Sequence, residues 1–295
     1  MEQIRQIRSF NRLVTKRIGA LEESYLSRGR PLGEARLIFE IGLPGADVGE
    51  IRSRLKLDSG YFSRLMRSLE ANDLVELTPQ PTDGRRRHAN LTAKGRSEFA
   101  AYEQLSDRLA QSMLGQLDVS QRERLVAAMA DVERLLRAAA VEINCEAPDS
   151  PEARYCLAAY FEELVRRFEG GFDPSKSNPA ADRDMTPPAG FLLVARLDGA
   201  PVGCGVLKHT SDAIGEIKRM WTAPSARGLG IARRILRNLE AIARESAIET
   251  VRLETNRALR EAQALYRDEG YTEVAPFNDE PYAHHWFEKK LGTKP

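Results

Sequence analysis

The chain is 295 residues long, about twice the usual domain size of roughly 100–150 residues, which predicts two domains. Hydrophobic residues make up 42% and charged residues 29%, the mixture of a soluble globular protein, which argues against disordered, collagen-like and membrane-spanning classes. The net charge of +1 divides into +3 over residues 1–145 and −2 over 146–295, so any nucleic-acid contact has to come from local clusters. No stretch approaches the ~18 uncharged apolar residues of a membrane span, and the opening MEQIRQIRSFNRL mixes charges into its apolar residues where a signal peptide needs an unbroken apolar core. A cytoplasmic protein is expected. Cys145, Cys156 and Cys204 are odd in number and form no C-x-x-C pair, which fits reduced thiols and neither a disulfide framework nor a metal site.

Apolar residues at 4, 7, 14, 18, 21 and 25 keep the spacing of one helical face and predict an opening helix. Asp47 to Leu55 reads as a short helix with a D-x-x-E start at Asp47 and Glu50, and Asp58-Ser59 caps a second helix to about Ala71. The intervening Lys56-Leu57 has the length of a helix-turn-helix turn. Leu74–Thr78 predicts a strand, Pro79–Arg87 a basic loop and His88–Thr92 a return strand: together, a wing. Thr92 caps a further helix beginning Ala93-Lys94-Gly95. Apolar residues at 125, 129, 132, 136, 139 and 143 carry another helical face to Ile143, and the prolines at 148 and 151 then mark a boundary. The predicted domains are 1–145 and 150–295.

Over residues 1–142 the chain resembles the MarR family of winged-helix regulators, on LDSGYFSRLMRSLEANDLVE, the wing TDGRRRHANLT with Asp83 and Arg85, and LTAKG. The resemblance implies a recognition helix in the major groove of duplex DNA, presenting Ser59, Tyr61, Ser63, Arg64 and Arg67. It also implies a wing tip of Arg85, Arg86 and Arg87 at the minor groove, where arginine is favoured by narrow A·T tracts. Its first and last helices imply a homodimer reading two half-sites.

The second half changes to strands alternating with helices. Phe191–Leu197 and Pro201–Leu207 flank Asp198-Gly199, a hairpin signal because glycine accepts positive φ. Residues 216–222 predict a strand running into a glycine-rich turn at 227–230, then a helix with Ile231, Ile235, Leu236, Leu239 and Ile242 on its buried face. Converging amides at a helix start suit an anionic pyrophosphate, with Arg227 adding a positive charge at the rim. The turn resembles the R/Q-x-x-G-x-G/A motif of the GNAT superfamily, filled by Arg227, Gly230 and Ala232, and Ala262–Tyr271 matches that family's A-x-x-L-Y-x-x-x-G-F/Y. The resemblance spans about 152–292 and implies an α+β domain with a central mixed sheet behind the mainly α winged helix.

What the resemblance implies for the site is acetyl-CoA as co-substrate, lying in an opening between parallel strands at 216–222 and 249–254. Gly228, Leu229, Gly230, Ile231 and Ala232 would hold the pyrophosphate. Met220, Trp221 and Thr222 would hold the pantetheine arm, and Ala262 would adjoin the cofactor. Tyr266 would be the general acid. Where many members carry an asparagine, position 259 is leucine, and Asn256 is the nearest substitute. Glu216 is the candidate base for the attacking amine. The acceptor pocket is expected around Tyr160, Arg166, Phe172, Arg219, Asn278, Tyr282 and His285, whose aromatic and hydrogen-bonding character suits a small organic amine. Arg166 or Arg219 clamping a carboxylate would point to an amino-acid-like acceptor. Two readings follow: an acetyl-CoA-dependent N-acetyltransferase fused to a transcriptional regulator, or a DNA-binding switch whose second half only senses acetyl-CoA or a small amine.

Overall fold

A computed structural model describes residues 1–80, 83–177, 180–211 and 213–292, with backbone alone at 80 and 83–85. The chain divides into two compact units, Met1–Ala128 and Met129–Pro295.

The first unit contains α1 (Glu2–Arg17), α2 (Leu32–Ile41), β1 (Ala46–Asp47), α3 (Val48–Leu55), α4 (Ser59–Ala71), β2 (Val75–Gln80), β3 (Asp83–Leu91) and α5 (Ala93–Leu114), and α6 (Val119–Ala139) follows. The capping residues act as the sequence predicts. Asp47 accepts from the Glu50 amide, Asp58 from Gly60 and Tyr61, and Thr92 from Gly95, each satisfying amides that have no intrahelical acceptor. The two-residue β1, not foreseen in the sequence, joins the wing in a sheet ordered β1-β3-β2. Leu37, Ile38, Ile51, Leu69 and Leu74 close the core beneath it. The opening helix is shorter than its apolar spacing predicts, ending at Arg17 before Gly19, whose φ of +69° is left-handed.

The helical spacing through Ile143 also misleads. α6 stops at Ala139, where Arg234 donates to the carbonyls of Ala138 at 2.7 Å and Val141 at 2.8 Å. Residues Glu142–Glu146 then form β4, an antiparallel edge strand with Ile143 opposite Ala195. The segment read as the end of the first domain is therefore the first strand of the second sheet. Sheet pairing overrides a helical period that Ile143 satisfies by coincidence.

After β4 come α7 (Pro151–Arg167), β5 (Gly190–Leu197), β6 (Ala200–Ser211), β7 (Ile214–Thr222), α8 (Ile231–Glu245), β8 (Thr250–Thr255), α9 (Arg260–Asp268), β9 (Thr272–Val274) and β10 (His285–Lys290). The strand order is β4-β5-β6-β7-β8-β10-β9, with β7–β8 the parallel pair in an otherwise antiparallel sheet. Asp198 (φ 52°) and Gly199 (φ 83°) turn the β5–β6 hairpin. Ile231, Ile235, Leu236 and Leu239 are buried on α8, each contributing about 1.5–3 kcal/mol. Gly205 permits this packing: a Cβ there would stand 2.6 Å from both Ile235 and Met220 side chains.

Candidate functional sites

The parallel pair holds register over only Ile214–Thr250, Gly215–Val251 and Glu216–Arg252. Beyond Glu216, β7 stays with β6, pairing Trp221 to Cys204 and Thr222 to Gly203, while β8 stays with β10. The strands' carboxyl ends therefore fork, and among the described residues no strand pairs with the backbone of Met220–Thr222 on the β8 side. Two cavities meet at this fork, of about 590 and 110 Å³. Tyr160, Leu164, Met220, Leu259, Ala262 and Tyr266 line both.

The larger cavity runs along Met220–Thr222 to Gly228 and Gly230–Ala232. Gly228 (φ 79°) and Gly230 (φ 72°) shape the turn, and Gly230 immediately precedes α8. The first hydrogen bond across this helix start is from Arg234 N–H to Gly230 O. Before it, the amides of Gly228 to Arg233 have no acceptor among the described residues, which is what an anion requires. Leu229 packs its side chain against the core, so what it offers the turn is its amide. Arg227 departs from the expectation. Its Nη2 lies 2.7 Å from both oxygens of Glu163, which also accepts from Arg167 and from the Trp221 indole N–H at 3.1 Å. Its charge is thus already matched inside the protein, and anion affinity at the turn falls to the amides and the helix start.

Tyr266 is 5% exposed on α9, its ring 5.9 Å from those of Tyr271 and Phe287. Its hydroxyl has no hydrogen-bond partner among the described residues, and burial with the nearby Glu254 charge pushes its pKa above the ordinary phenol value. The phenol stays protonated at the point where the two cavities join.

Glu216 does not reach either cavity. It sits in the paired part of β7, and its carboxylate is 3.3 Å from Lys218 Nζ. Of the two carboxylates among the described residues that line the smaller cavity, Glu280 and Glu254, it is Glu254 that stands near the end of β8. Lys218 donates to Glu254 Oε1 at 2.5 Å, and Glu254 Oε2 is buried with no hydrogen-bond partner among the described residues. Burial disfavours the Lys218 charge, but Glu254 and Glu216 outweigh it and raise the amine's pKa. Sequence reasoning missed Glu254. The available signal was a lone acid among Val251, Leu253 and Thr255, which are buried on the opposite face of the strand.

Asn256 is likewise reassigned. Its Nδ2 donates to the Tyr282 carbonyl at 2.7 Å and its Oδ1 accepts from the Ala258 amide, so it braces the chain beside the smaller cavity and does not line the larger one. Of the expected acceptor residues, Tyr160, Phe172, Arg219 and Tyr282 line the smaller cavity. Arg166 is exposed on the outer face of α7. Asn278 accepts from the Trp286 indole at 2.9 Å, and His285 Nδ1 is 2.6 Å from Glu273, and neither lines a cavity. The aromatic run at 276–287 suggested Asn278 and His285, but strand β10 directs Trp286 and His285 to partners of their own.

In the first unit, Ser59, Tyr61, Ser63, Arg64 and Arg67 are all exposed on α4, opposite Phe62, Leu65, Met66 and Leu69. Arg64 lies over the Tyr61 ring at 5.8 Å, and Arg67 reaches the Ser63 carbonyl at 3.2 Å. The arginines read as a wing tip separate. Arg86 and Arg87 lie within β3, on opposite faces of the strand. Arg86 donates to Asp47 at 3.2 Å and Glu50 at 3.0 Å, tying the wing to α3, whereas Arg87 is exposed and without an acidic partner among the described residues. The side chains of Asp83 and Arg85 lie outside the described residues. No helix among those described is long and apolar enough to cross a membrane.

Residues 157–271 match the acetyltransferase (GNAT) family, and residues 29–86 match the MarR family. An IAA acetyltransferase of Azospirillum brasilense is 38% identical over 122 residues, covering 41% of this chain and 78% of that one. An uncharacterised N-acetyltransferase of Escherichia coli, YedL, is 34% identical over 79 residues, which are 26% of this chain and half of that one. Among solved structures, an acetyltransferase of the GNAT family from Staphylococcus aureus aligns over 52% of this chain and 100% of its own, at 17% identity and TM-score 0.46.

Proposed function

The chain belongs to the GNAT acetyltransferase family, is an N-acetyltransferase, and carries a MarR-family winged helix before that domain; on that premise we propose that it acetylates a small primary amine with acetyl-CoA and regulates transcription as a DNA-bound homodimer in the cytoplasm. The observation that carries the catalytic reading is the β7–β8 fork, where a long cleft and a small aromatic cavity meet at Tyr266.

The residues fit the co-substrate. Free amides at Gly228 to Arg233 would receive its pyrophosphate, and the free edge of Met220–Thr222 would pair with its pantetheine arm. Acetyl-CoA supplies an activated acyl carbon to the fork. There Glu254, oriented by Lys218, takes the proton of the attacking amine. The amine nitrogen bonds to the acyl carbon, the carbon–sulfur bond breaks, and Tyr266 gives its proton to the departing sulfur. A thiol has pKa near ~8.5 and a phenol near ~10, so this transfer runs against the unperturbed values. Burial raises the sulfur's basicity along with the phenol's, so positioning decides the rate.

The DNA-binding part rests on Arg64, Arg67 and Arg87, three exposed guanidinium groups without acidic partners among the described residues, on a capped helix and a wing strand. The homodimer is supported by α1, whose Ile4, Ile7, Phe10 and Leu13 form an exposed apolar stripe at helical spacing. The test of the catalytic reading is thiol release from acetyl-CoA by the full-length protein with primary amines added. Release that depends on amine is expected. Binding of acetyl-CoA with no amine-dependent release would leave a sensor in place of an enzyme.

A further inference from the structure

The smaller cavity holds a cation without a matching anion. Arg219 lines it, with Nη2 donating to the Ala180 carbonyl at 2.7 Å, Nη1 at 3.2 Å from the Met185 sulfur, and its guanidinium carbon 5.2 Å from the Phe161 ring centre. No carboxylate among the described residues is within ion-pair distance of it, whereas Lys218, one residue earlier, has two. A carbonyl, a thioether and a ring leave most of the five guanidinium donors unused, and burial alone lowers its pKa. The backbone is arranged for this placement. Arg219 adopts a left-handed φ of 55° at the irregularity in β6–β7 pairing, and Cys204 Sγ contacts its carbonyl at 3.3 Å. A bulge of this kind re-aims a side chain, and a non-glycine residue held there is strain of the sort found at binding sites.

The rest of the cavity limits what enters with the anion. Glu280 already accepts from the Ser177 hydroxyl and the Tyr282 amide, so it is not held in reserve for a basic side chain. Phe161, Phe172 and Tyr282 present a continuous aromatic wall, with ring centres 5.9 and 4.7 Å apart. Arg219 and Glu254 line the same cavity of about 110 Å³, so an acceptor spanning them carries its carboxylate and amine close together.

We infer that the acceptor is a free α-amino acid with an apolar or aromatic side chain, its carboxylate bound by Arg219, its amine facing Glu254 and Tyr266, and its side chain against Phe161, Phe172 and Tyr282. This rests on the acetyl-transfer reading given above. A site built for a charged group rejects the analogue that lacks it, because its own buried group is then left unpaired.

The experiment compares thiol release with the twenty proteinogenic amino acids against their decarboxylated amines, such as L-phenylalanine against phenethylamine and L-leucine against isoamylamine. The wild type is expected to prefer at least one apolar amino acid over its amine by about 10- to 150-fold in kcat/KM, the worth of one charged hydrogen-bonded contact. Arg219→Met should erase that preference by raising KM for the amino acid far more than for the amine, and Arg219→Lys should restore part of it. Acetyl-CoA titration reports whether either variant remains folded. Preference for amines in the wild type, or equal loss on both substrates in the Arg219 variants, overturns the inference while leaving acetyl transfer intact. No release with any amine or amino acid overturns the transfer reading itself.

Discussion

Replacing Gly230 by aspartate isolates the anion site from the fold around it. A Cβ at this position meets no atom within 4 Å, so the substitution introduces no clash. The residue has φ 72°, a conformation costing an L-residue about 1–2 kcal/mol but tolerated better by aspartate than by most. A carboxylate just before α8 also gains from the helix dipole by roughly 0.3–1 kcal/mol. Net stability should change by about 1 kcal/mol or less. Acetyl-CoA binding should change far more, because the new carboxylate competes for the amides of Ile231 to Arg233. Losing two charge-assisted hydrogen bonds at about 1.5 kcal/mol each gives about 3 kcal/mol, on the order of a 100-fold weaker Kd. Titration calorimetry with acetyl-CoA beside a thermal melt measures both quantities. Gly230→Ala, with the backbone strain and no charge, should lose much less affinity. Undiminished affinity in a folded Gly230→Asp protein would show that the pyrophosphate lies elsewhere.

The other sites make separable predictions. Glu254→Gln should lower kcat by ~10²–10⁴-fold near neutral pH, with the deficit shrinking as pH rises and more of the amine arrives already deprotonated; a pH-independent deficit would point to a structural role for the carboxylate. Arg87→Ala should weaken binding to duplex DNA and reduce the salt slope by about one unit if it contacts a phosphate, whereas Arg86→Ala should mainly loosen the wing; equal salt slopes for the two variants would contradict this division. Asp47→Ala should destabilise the winged helix by about 0.5–2 kcal/mol through loss of the α3 cap, as read by denaturant unfolding. Burial raises the Asp47 pKa, but the Glu50 amide and Arg86 outweigh it and the net shift is downward. Its contribution is therefore present above the unfolded carboxyl value and lost as pH falls through the lower folded value, so wild type and Asp47→Ala should converge in stability at acid pH.

What the sequence revealed follows from how local each signal is. The caps at Asp47, Asp58 and Thr92, the Asp198-Gly199 hairpin and the glycine turn at 228–230 are set by residues within a few positions of one another, and they occur where predicted. The long-range partners were not legible. Arg227 and Arg86 look like free cations in the sequence, but Glu163 lies 64 residues from the first, and Asp47 lies 39 from the second. Glu254 lines the cavity and Glu216 does not because the fork opens after residue 216, and no periodicity marks where two parallel strands part. Ile143 fell in helical register yet pairs with Ala195, since only the completed sheet supplies that partner.

The central claim, that acyl transfer takes place where the two cavities meet, is tested most directly by the kinetics of Tyr266→Phe. The change removes one oxygen from a buried ring and leaves its packing against Tyr271 and Phe287 in place. Amine-dependent thiol release should fall by ~10²–10⁴-fold in kcat while acetyl-CoA affinity, measured by titration, stays the same. Unchanged turnover would make Tyr266 a core residue and move the chemistry away from the fork.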